Sequence, residues 1–538
     1  MMRQQALDIL KHEDPFDLLV IGGGATGCGV ALDAATRGLR VALVEKNDFA
    51  EGTSSRSTKL LHGGVRYLET AVRKLDRVQF NLVRDGLLER DLLLQNAPHL
   101  TRRLSLVTPL YRWYEVPYVF AGLKLYDLLS GKRRIGHSRL LSRRQAISRF
   151  PGLKAEGLKA GVLYYDGQFH DARMALALAM TARHHGAVVA NHVAVSGLVK
   201  EAGRVIGAEL TDSLTDERWT LSAKGVVNAA GPFVDRIRAL DDPAKPGILT
   251  ISSGVHVVLD KRFAPPETGL LIPETEDGRV LFVLPWEGYA LVGTTDESAD
   301  ASEHPQPAEE DIRYLLRHVE RYFNLQVQHS DIKAAWAGLR PLVADPKAAD
   351  TASLARDHVV ECSASGLLTI AGGKWTTYRK MAQDTVDQAI RCCRLEPVKR
   401  TCQTHRLAIQ GSVGFREDGA ERLQKRSSLD SDIARHLHHT YGDQVDRLLD
   451  FLTADGARRL VTGQPMIEAE VRYAVHHEMA VRASDVLARR LSLLLLDSEM
   501  ARKAAPRVIA LMAEELSWDE TRCQAEVAEM NERLDAGV

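Results

Sequence analysis

The stretch FDLLVIGGGATGCGVALDAATRGLRVALVEKND, residues 16–48, decides how the chain must be read. Residues 16–21 form a short run rich in branched apolar side chains, the pattern of a buried strand. Gly22, Gly24 and Gly27 follow as G-x-G-x-x-G, and residues 25–37 read as a helix. A second buried strand, 40–44, ends at Glu45, about 20 residues beyond the glycines. Each part has a reason in dinucleotide binding. The glycines permit a tight turn and let the backbone come close to a pyrophosphate, and the helix N-terminus then faces the phosphates. Glu45 stands where a carboxylate accepts from a ribose hydroxyl. The glycines alone are a weak signal. With strand, helix, second strand and acid all in place, the dinucleotide reading is strong.

The rest of the composition narrows the classes. With 538 residues the chain exceeds one ordinary core, and its hydrophobic content of 45% and charged content of 26% are those of a soluble globular protein. Its 70 basic and 71 acidic residues nearly cancel, so no global field favours nucleic acid. The six cysteines lack zinc spacing, and no metal centre is expected. The opening residues lack the apolar core of a secretory signal, and no segment approaches the ~20 apolar residues of a membrane-spanning helix. Any membrane contact is expected to be peripheral.

Beyond the first unit, residues 75–94 show helical periodicity. LYYDGQFHDARMALALAMTARHHGAVV reads as strand, loop, helix and strand, and VVNAAG as another buried strand. VLFVLP and YALVG read as a hairpin, and LLTIAGGKWTTYRKM returns to strand, glycine turn and helix. A chain that leaves a nucleotide domain and re-enters it late carries a second domain between its segments. From about residue 400 the pattern is helical: Ile467, Val471 and Val475 lie on one face, and Ser517 with Glu520 resembles a capping box. The last helix would bury Cys523, Val527 and Met530.

The stretch TKLLHGGVRYLE, residues 58–69, places a histidine, two glycines, an arginine and a tyrosine close together. With it, VIGGGATGCGVALDAATRGL, YYDGQFHDAR, VVNAAGPFVD, GTTD, WAGLRPL and GGKWTTYRKMAQD occur in an order that resembles the FAD-dependent glycerol-3-phosphate dehydrogenases of bacteria and mitochondria. The resemblance implies an α/β and α+β multidomain chain. A Rossmann-like FAD-binding domain would be built of discontinuous segments, 16–165 first, with 180–250 and 365–395 returning to it. An antiparallel-sheet substrate domain would occupy mainly 250–360, and an all-α C-terminal domain 400–538. The calcium-binding loops of the mitochondrial relatives have no D-x-D-x-D-G counterpart here, which leads to the expectation of a bacterial setting.

Carried over residue by residue, the resemblance places Gly22, Gly24 and Gly27 at the pyrophosphate and Glu45 at the adenosine ribose. Thr53, Ser54 and Ser55 fall beside the phosphates, Lys59 and Leu60 near the flavin, and Ala194 near the adenine. Gly231, Lys374 and Thr376 supply further cofactor contacts. The reaction it implies, sn-glycerol 3-phosphate to dihydroxyacetone phosphate, needs a base, a hydride acceptor and a phosphate grip. Arg66, Arg340 and Lys374 are candidate phosphate and oxyanion donors, because charge-assisted bonds suit phosphate. Tyr67 is a supporting hydroxyl. His62 and His256 compete as base, with His256 slightly favoured and His62 then positioning the flavin.

Ubiquinone or another membrane quinone is the implied electron acceptor. LYRWYEVPYVFAGLKLYDLLSGKRR, residues 110–134, clusters aromatics ahead of Lys132, Arg133 and Arg134, and is either a docking surface or an aromatic core patch. The expected location is cytoplasmic, peripheral on the inner face of a bacterial cytoplasmic membrane; a homodimer is left open. A soluble oxidase using oxygen, and a non-catalytic flavin-binding sensor or assembly protein, are the competing readings.

Overall fold

The computed structural model describes every residue except 1, 13–14, 66–67, 69–76, 274, 276–278, 345–356, 454–455 and 538. Two large sheets organise it. In the first, the strands run His358–Cys362, Leu367–Gly372, Arg218–Asn228, Phe16–Ile21, Val41–Val44, Val188–Ala190. All neighbours pair parallel except the His358–Cys362 edge. A parallel sheet needs both faces covered, so its strands are apolar throughout. Val41–Val44 is buried at every position, and Phe16–Ile21 at all but one. The helices Ala25–Thr36, Asp171–His184 and Tyr378–Cys392 pack over it. Strands Val193–Glu201 and Arg204–Asp212 extend antiparallel from the outer part of Arg218–Asn228.

Among the described residues the second sheet has ten strands. Its path runs Glu297–Ser298, Leu249–Leu259, Tyr289–Gly293, Leu281–Trp286, Thr268–Ile272, Thr101–Leu110, Ala160–Phe169, Leu60–Leu61. Ile332–Val343 pairs with Leu249–Leu259 along nearly its whole length, and Arg139–Ser142 joins Ala160–Phe169. Strand pairing therefore divides the chain differently from the expected first segment 16–165. Strands Leu60–Leu61, Thr101–Leu110, Arg139–Ser142 and Ala160–Phe169 belong to the sheet of the 250–360 region. The link is the parallel pairing of Thr268–Ile272 with Thr101–Leu110, a long-range contact with no local signature.

The hairpin expected in VLFVLP and YALVG is present, turning at Glu287 and Gly288. The opening residues form a helix, Met2–His12, that buries Ala6, Leu7 and Leu10, with Arg3 bonded to Asp212 at 2.8 Å. The final third is helical, with Ile467, Val471 and Val475 buried. Ser517 does not open the last helix; it closes Ser498–Leu516 in a left-handed conformation (φ 55°), and Asp519 caps Glu520–Ala536 by accepting from Arg522 N. Val527 is exposed, and Met530 with Leu534 makes the buried face.

A buried ionic cluster ties this helical region to the loop after Val41–Val44. Arg489 reaches Asp48 at 2.5 Å, Arg490 reaches its other oxygen at 2.9 Å, and Arg533 pairs with Glu51 at 3.0 Å. Asp48, His192 and Asp485 converge closely enough to suggest a metal, but Arg489 and Arg490 already meet that charge.

Candidate functional site: a cleft between two sheets

At the ends of strands Phe16–Ile21 and Val41–Val44 lies a cavity of about 490 Å³. The expected cofactor residues Gly22, Gly24, Glu45, Thr53, Ser54, Ala194, Gly231 and Lys374 all line it. Gly22 has φ 110°, and a Cβ there would stand 2.6 Å from the Ala229 carbonyl oxygen. Gly27 is not on the wall. Its Cα faces the Gly22 carbonyl so closely that a Cβ would fall under 3 Å from it, which makes it the helix-to-strand packing glycine.

The Glu45 carboxylate accepts from Gly23 N at 2.6 Å and Asn47 N at 3.0 Å. Burial pushes its pKa up, against the pull of those two donors. The turn Thr53–Ser55 is fixed from three sides. Ser54 Oγ accepts from Ala25 N at 2.9 Å, and Trp375 Nε1 donates to the Ser54 carbonyl at 2.9 Å. Thr53 Oγ1 donates to the Leu339 carbonyl of the second sheet at 2.6 Å. These residues fit FAD: a glycine cradle closed to side chains, an oriented carboxylate at the ribose position and small hydroxyls at a helix N-terminus.

Other expected residues fall elsewhere. Ser55, Lys59, Leu60, His62 and Thr376 do not line the cavity. Leu60 is a buried strand residue and Thr376 is buried at the turn after Lys374. Lys59 has its ammonium buried against Asp171 at 2.7 and 2.8 Å and takes a left-handed backbone conformation (φ 59°). Its pKa is lowered, by burial first and then by Arg56, with Asp171 opposing. His62 is partly buried beside Gly63. Arg66 and Tyr67 lie outside the described residues.

The second sheet reaches the cavity through one strand, Ile332–Val343. Ser252, Gly254 and His256 alternate on one face, opposite Arg340, Gly338 and Trp336 in register. Pro341, next to Arg340, lines the cavity. Arg340 donates to Ser252 Oγ (3.2 Å), the Ser253 carbonyl (3.3 Å), Asp296 (3.1 Å), Thr294 Oγ1 (3.0 Å) and the Thr295 carbonyl (2.9 Å). His256 is 3% exposed and stacks on Trp336 with ring centres 4.3 Å apart. Its pKa lies well below the usual histidine value, through burial first and then repulsion from Arg340 and Lys59. Burial and the two nearby cations thus favour the uncharged form of the imidazole.

Sequence reasoning missed Trp375, which pins the phosphate turn, and Asp171, which holds Lys59. The neighbouring motif residues Lys374 and Arg173 were the signals available for both.

Residues 17–379 match the FAD dependent oxidoreductase family, and residues 402–523 match the C-terminal domain of alpha-glycerophosphate oxidase. The mitochondrial glycerol-3-phosphate dehydrogenase of Mus musculus is 47% identical, over 98% of this chain and 74% of its own length. The mitochondrial enzyme of that name from Arabidopsis thaliana is 44% identical, over 99% of this chain and 88% of its own. The chain belongs to the FAD-dependent glycerol-3-phosphate dehydrogenase family. The likeness extends to the whole fold. A Bacillus halodurans glycerol-3-phosphate dehydrogenase complexed with FAD superposes with a TM-score of 0.81 at 31% identity, covering 100% of this chain and 98% of that one.

Proposed function

We propose that the chain oxidises sn-glycerol 3-phosphate to dihydroxyacetone phosphate and passes the electrons to a membrane quinone. The observation that carries this is one face of the second sheet, where a buried histidine and an oriented arginine lie on the paired strands Leu249–Leu259 and Ile332–Val343, the latter of which lines a dinucleotide cavity at Pro341. The cradle of Gly22 and Gly24 would hold the pyrophosphate, Glu45 the ribose, Ala194 the adenine side, and Gly231 with Lys374 the flavin side. FAD, when bound, supplies the acceptor for the hydride that leaves C2. His256 takes the proton of the C2 hydroxyl. Arg340 and Lys374 hold the phosphate and the developing oxyanion. The five protein acceptors around Arg340 fix its guanidinium in one orientation before substrate arrives, which reduces the cost of ordering it on binding. Arg66, Tyr67 and His62 complete the set as substrate and flavin contacts.

Delivery to a lipid-dissolved quinone requires contact with the bilayer. Among the described residues no helix is long and apolar enough to cross a membrane. The helix Glu115–Ser130 and its approach expose Trp113, Tyr114, Tyr118 and Leu128, while Tyr126 is buried. Lys132, Arg133 and Arg134 are exposed just beyond. Exposed aromatics beside basic residues suit an anionic membrane interface, and this supports peripheral docking on the cytoplasmic face of a bacterial membrane.

One anaerobic experiment tests the reading. Glycerol 3-phosphate added to the FAD-loaded protein should bleach the flavin absorbance, and anionic vesicles carrying quinone should restore it faster than dissolved oxygen. No bleaching would leave a non-catalytic flavin-binding protein. Bleaching reversed by oxygen and not by quinone would make the chain an oxidase.

A further inference from the structure

The helix Glu520–Ala536 closes the helical third of the chain, yet one of its side chains reaches the wall of the cofactor cavity. Arg533 Nη2 donates to Glu51 Oε1 at 3.0 Å, and Glu51 lines the cavity with Glu45, Asn47, Thr53 and Ser54. Arg489, also from the helical region, faces the other Glu51 oxygen at 3.4 Å. The Arg533 and Glu51 side chains are only 16% and 6% exposed, so salt screens this pair far less than one on the surface.

The loop that carries Glu51 needs such an anchor. Ala50, its neighbour, takes a left-handed conformation (φ 64°) that is costly for a residue with a Cβ. A conformation of that kind persists where the surroundings over-determine it. On the inner side, Ala50 N donates to the Gly23 carbonyl at 3.0 Å, and Gly23 N donates to Glu45 at 2.6 Å. On the outer side, Asp48 N donates to Glu51 Oε2 at 3.2 Å, and Arg489 and Arg490 grip the Asp48 carboxylate. One continuous path therefore runs from Arg533 through Glu51 and Ala50 to the glycine turn and Glu45.

Charge gives a second reason. Burial alone would push the pKa of Glu51 up, but Arg489 and then Arg533 outweigh it and hold the carboxyl well below its usual range. An anion thus stands in the wall of a cavity that must take the pyrophosphate of FAD. The two arginines meet its charge, which would otherwise repel a phosphate.

We infer that Arg533 is a positioning residue for FAD: through Glu51 the last helix latches the loop 45–55 that lines the cofactor cavity. Linkage makes the effect reciprocal, so whatever the latch adds to FAD affinity, FAD returns to the seating of the helix. Neither half depends on the substrate or on the reaction proposed above.

The test titrates the full chain, freed of its cofactor, with FAD. Arg533→Gln should bind FAD about tenfold or more weakly, and Arg533→Lys, which keeps the charge, should recover most of the affinity. In a Glu51→Gln background, Arg533→Gln should have little further effect, because the two side chains act as a unit. Arg502→Gln is the control. Arg502 pairs with Asp535 of the same helix at 2.6 Å on its exposed side, and its loss should leave FAD affinity at the parent value. Amide hydrogen exchange supplies a reading that a merely structural role would not move. In the parent, FAD should slow exchange across residues 520–536; in Arg533→Gln it should not. Parental FAD affinity in Arg533→Gln overturns the inference, as does exchange in the last helix of the parent that ignores FAD. Equal loss of affinity in Arg502→Gln overturns it too, because loosening of the helix as a whole would then be the cause. Where Arg533→Gln does not fold, the exchange measurement on the parent still decides.

Discussion

Glycine is used differently in the two sheets. In the parallel sheet, Gly22 and Gly27 are demanded by backbone: a Cβ at either would run into a main-chain carbonyl, of Ala229 or of Gly22 itself. In the ten-stranded sheet, Gly254 and Gly293 are demanded by side chains, the Arg340 guanidinium and the His256 ring. The first kind shapes a cradle for a cofactor. The second clears room for reactive groups to lie flat on a sheet face. Backbone cannot give way, whereas a guanidinium can swing aside. Substitutions in the two places should therefore fail differently, one by losing the cofactor and the other by losing the reaction.

Gly27→Ala should have the largest effect. Its Cβ meets the Gly22 carbonyl, and neither the strand end nor the helix start can move without the other. Overpacking of this kind costs about 1–3 kcal/mol or more. Flavin absorbance after purification and the thermal midpoint should both drop. A stable Gly27→Ala protein with full FAD content would remove the distinction between the two kinds of glycine.

Gly254→Ala should come next. Its Cβ displaces Arg340 Nη2 and approaches Thr294 Oγ1, so the guanidinium must leave the position set by Thr294, Thr295 and Asp296. FAD content should be retained. Losing a charge-assisted contact to the phosphate costs roughly 1.5–3 kcal/mol, so glycerol 3-phosphate should bind about 10- to 100-fold more weakly while glycerol is unaffected. Equal weakening of both ligands would show that Arg340 does not hold the phosphate.

The same contrast explains what the sequence disclosed. The parallel unit was legible because strand, glycines, helix, strand and Glu45 lie within one short stretch, and local pattern carried them all. The face joining His256 to Arg340 was legible only as separate motifs, since their register is made by a long-range pairing. The strands Thr101–Leu110 and Ala160–Phe169 fall within the 16–165 stretch expected to open the FAD-binding domain, yet they pair in the ten-stranded sheet. Nothing in their own alternation names the partner. The partner of Lys59, Asp171, arrives from a distant helix and so left no local signature. Ser517 imitated a cap because the residue that closes one helix and the residue that opens the next lie two positions apart.

Gly24→Ala should have the smallest effect on the protein itself, and it sharpens the comparison for that reason. Gly24 is the N-cap of Ala25–Thr36 with φ −79° and ψ −177°, a conformation open to alanine. The nearest atom to its Cβ is Ser54 Oγ at 3.1 Å, the end of a short side chain. That hydroxyl accepts from Ala25 N, so it can yield by only a few tenths of an ångström without losing the bond. Exchanging glycine for alanine at an N-cap should cost no more than about 1 kcal/mol. The methyl nevertheless projects at the cavity wall, where a pyrophosphate would need the bare backbone. The expected outcome is a folded protein with a near-parental thermal midpoint in the absence of FAD and at least about tenfold weaker FAD binding, equivalent to ~1.4 kcal/mol. Unchanged affinity in a titration of the apoprotein would mean that the pyrophosphate does not pass over Gly24, and the cradle would then have to be redrawn around Gly22 and the Thr53–Ser55 turn.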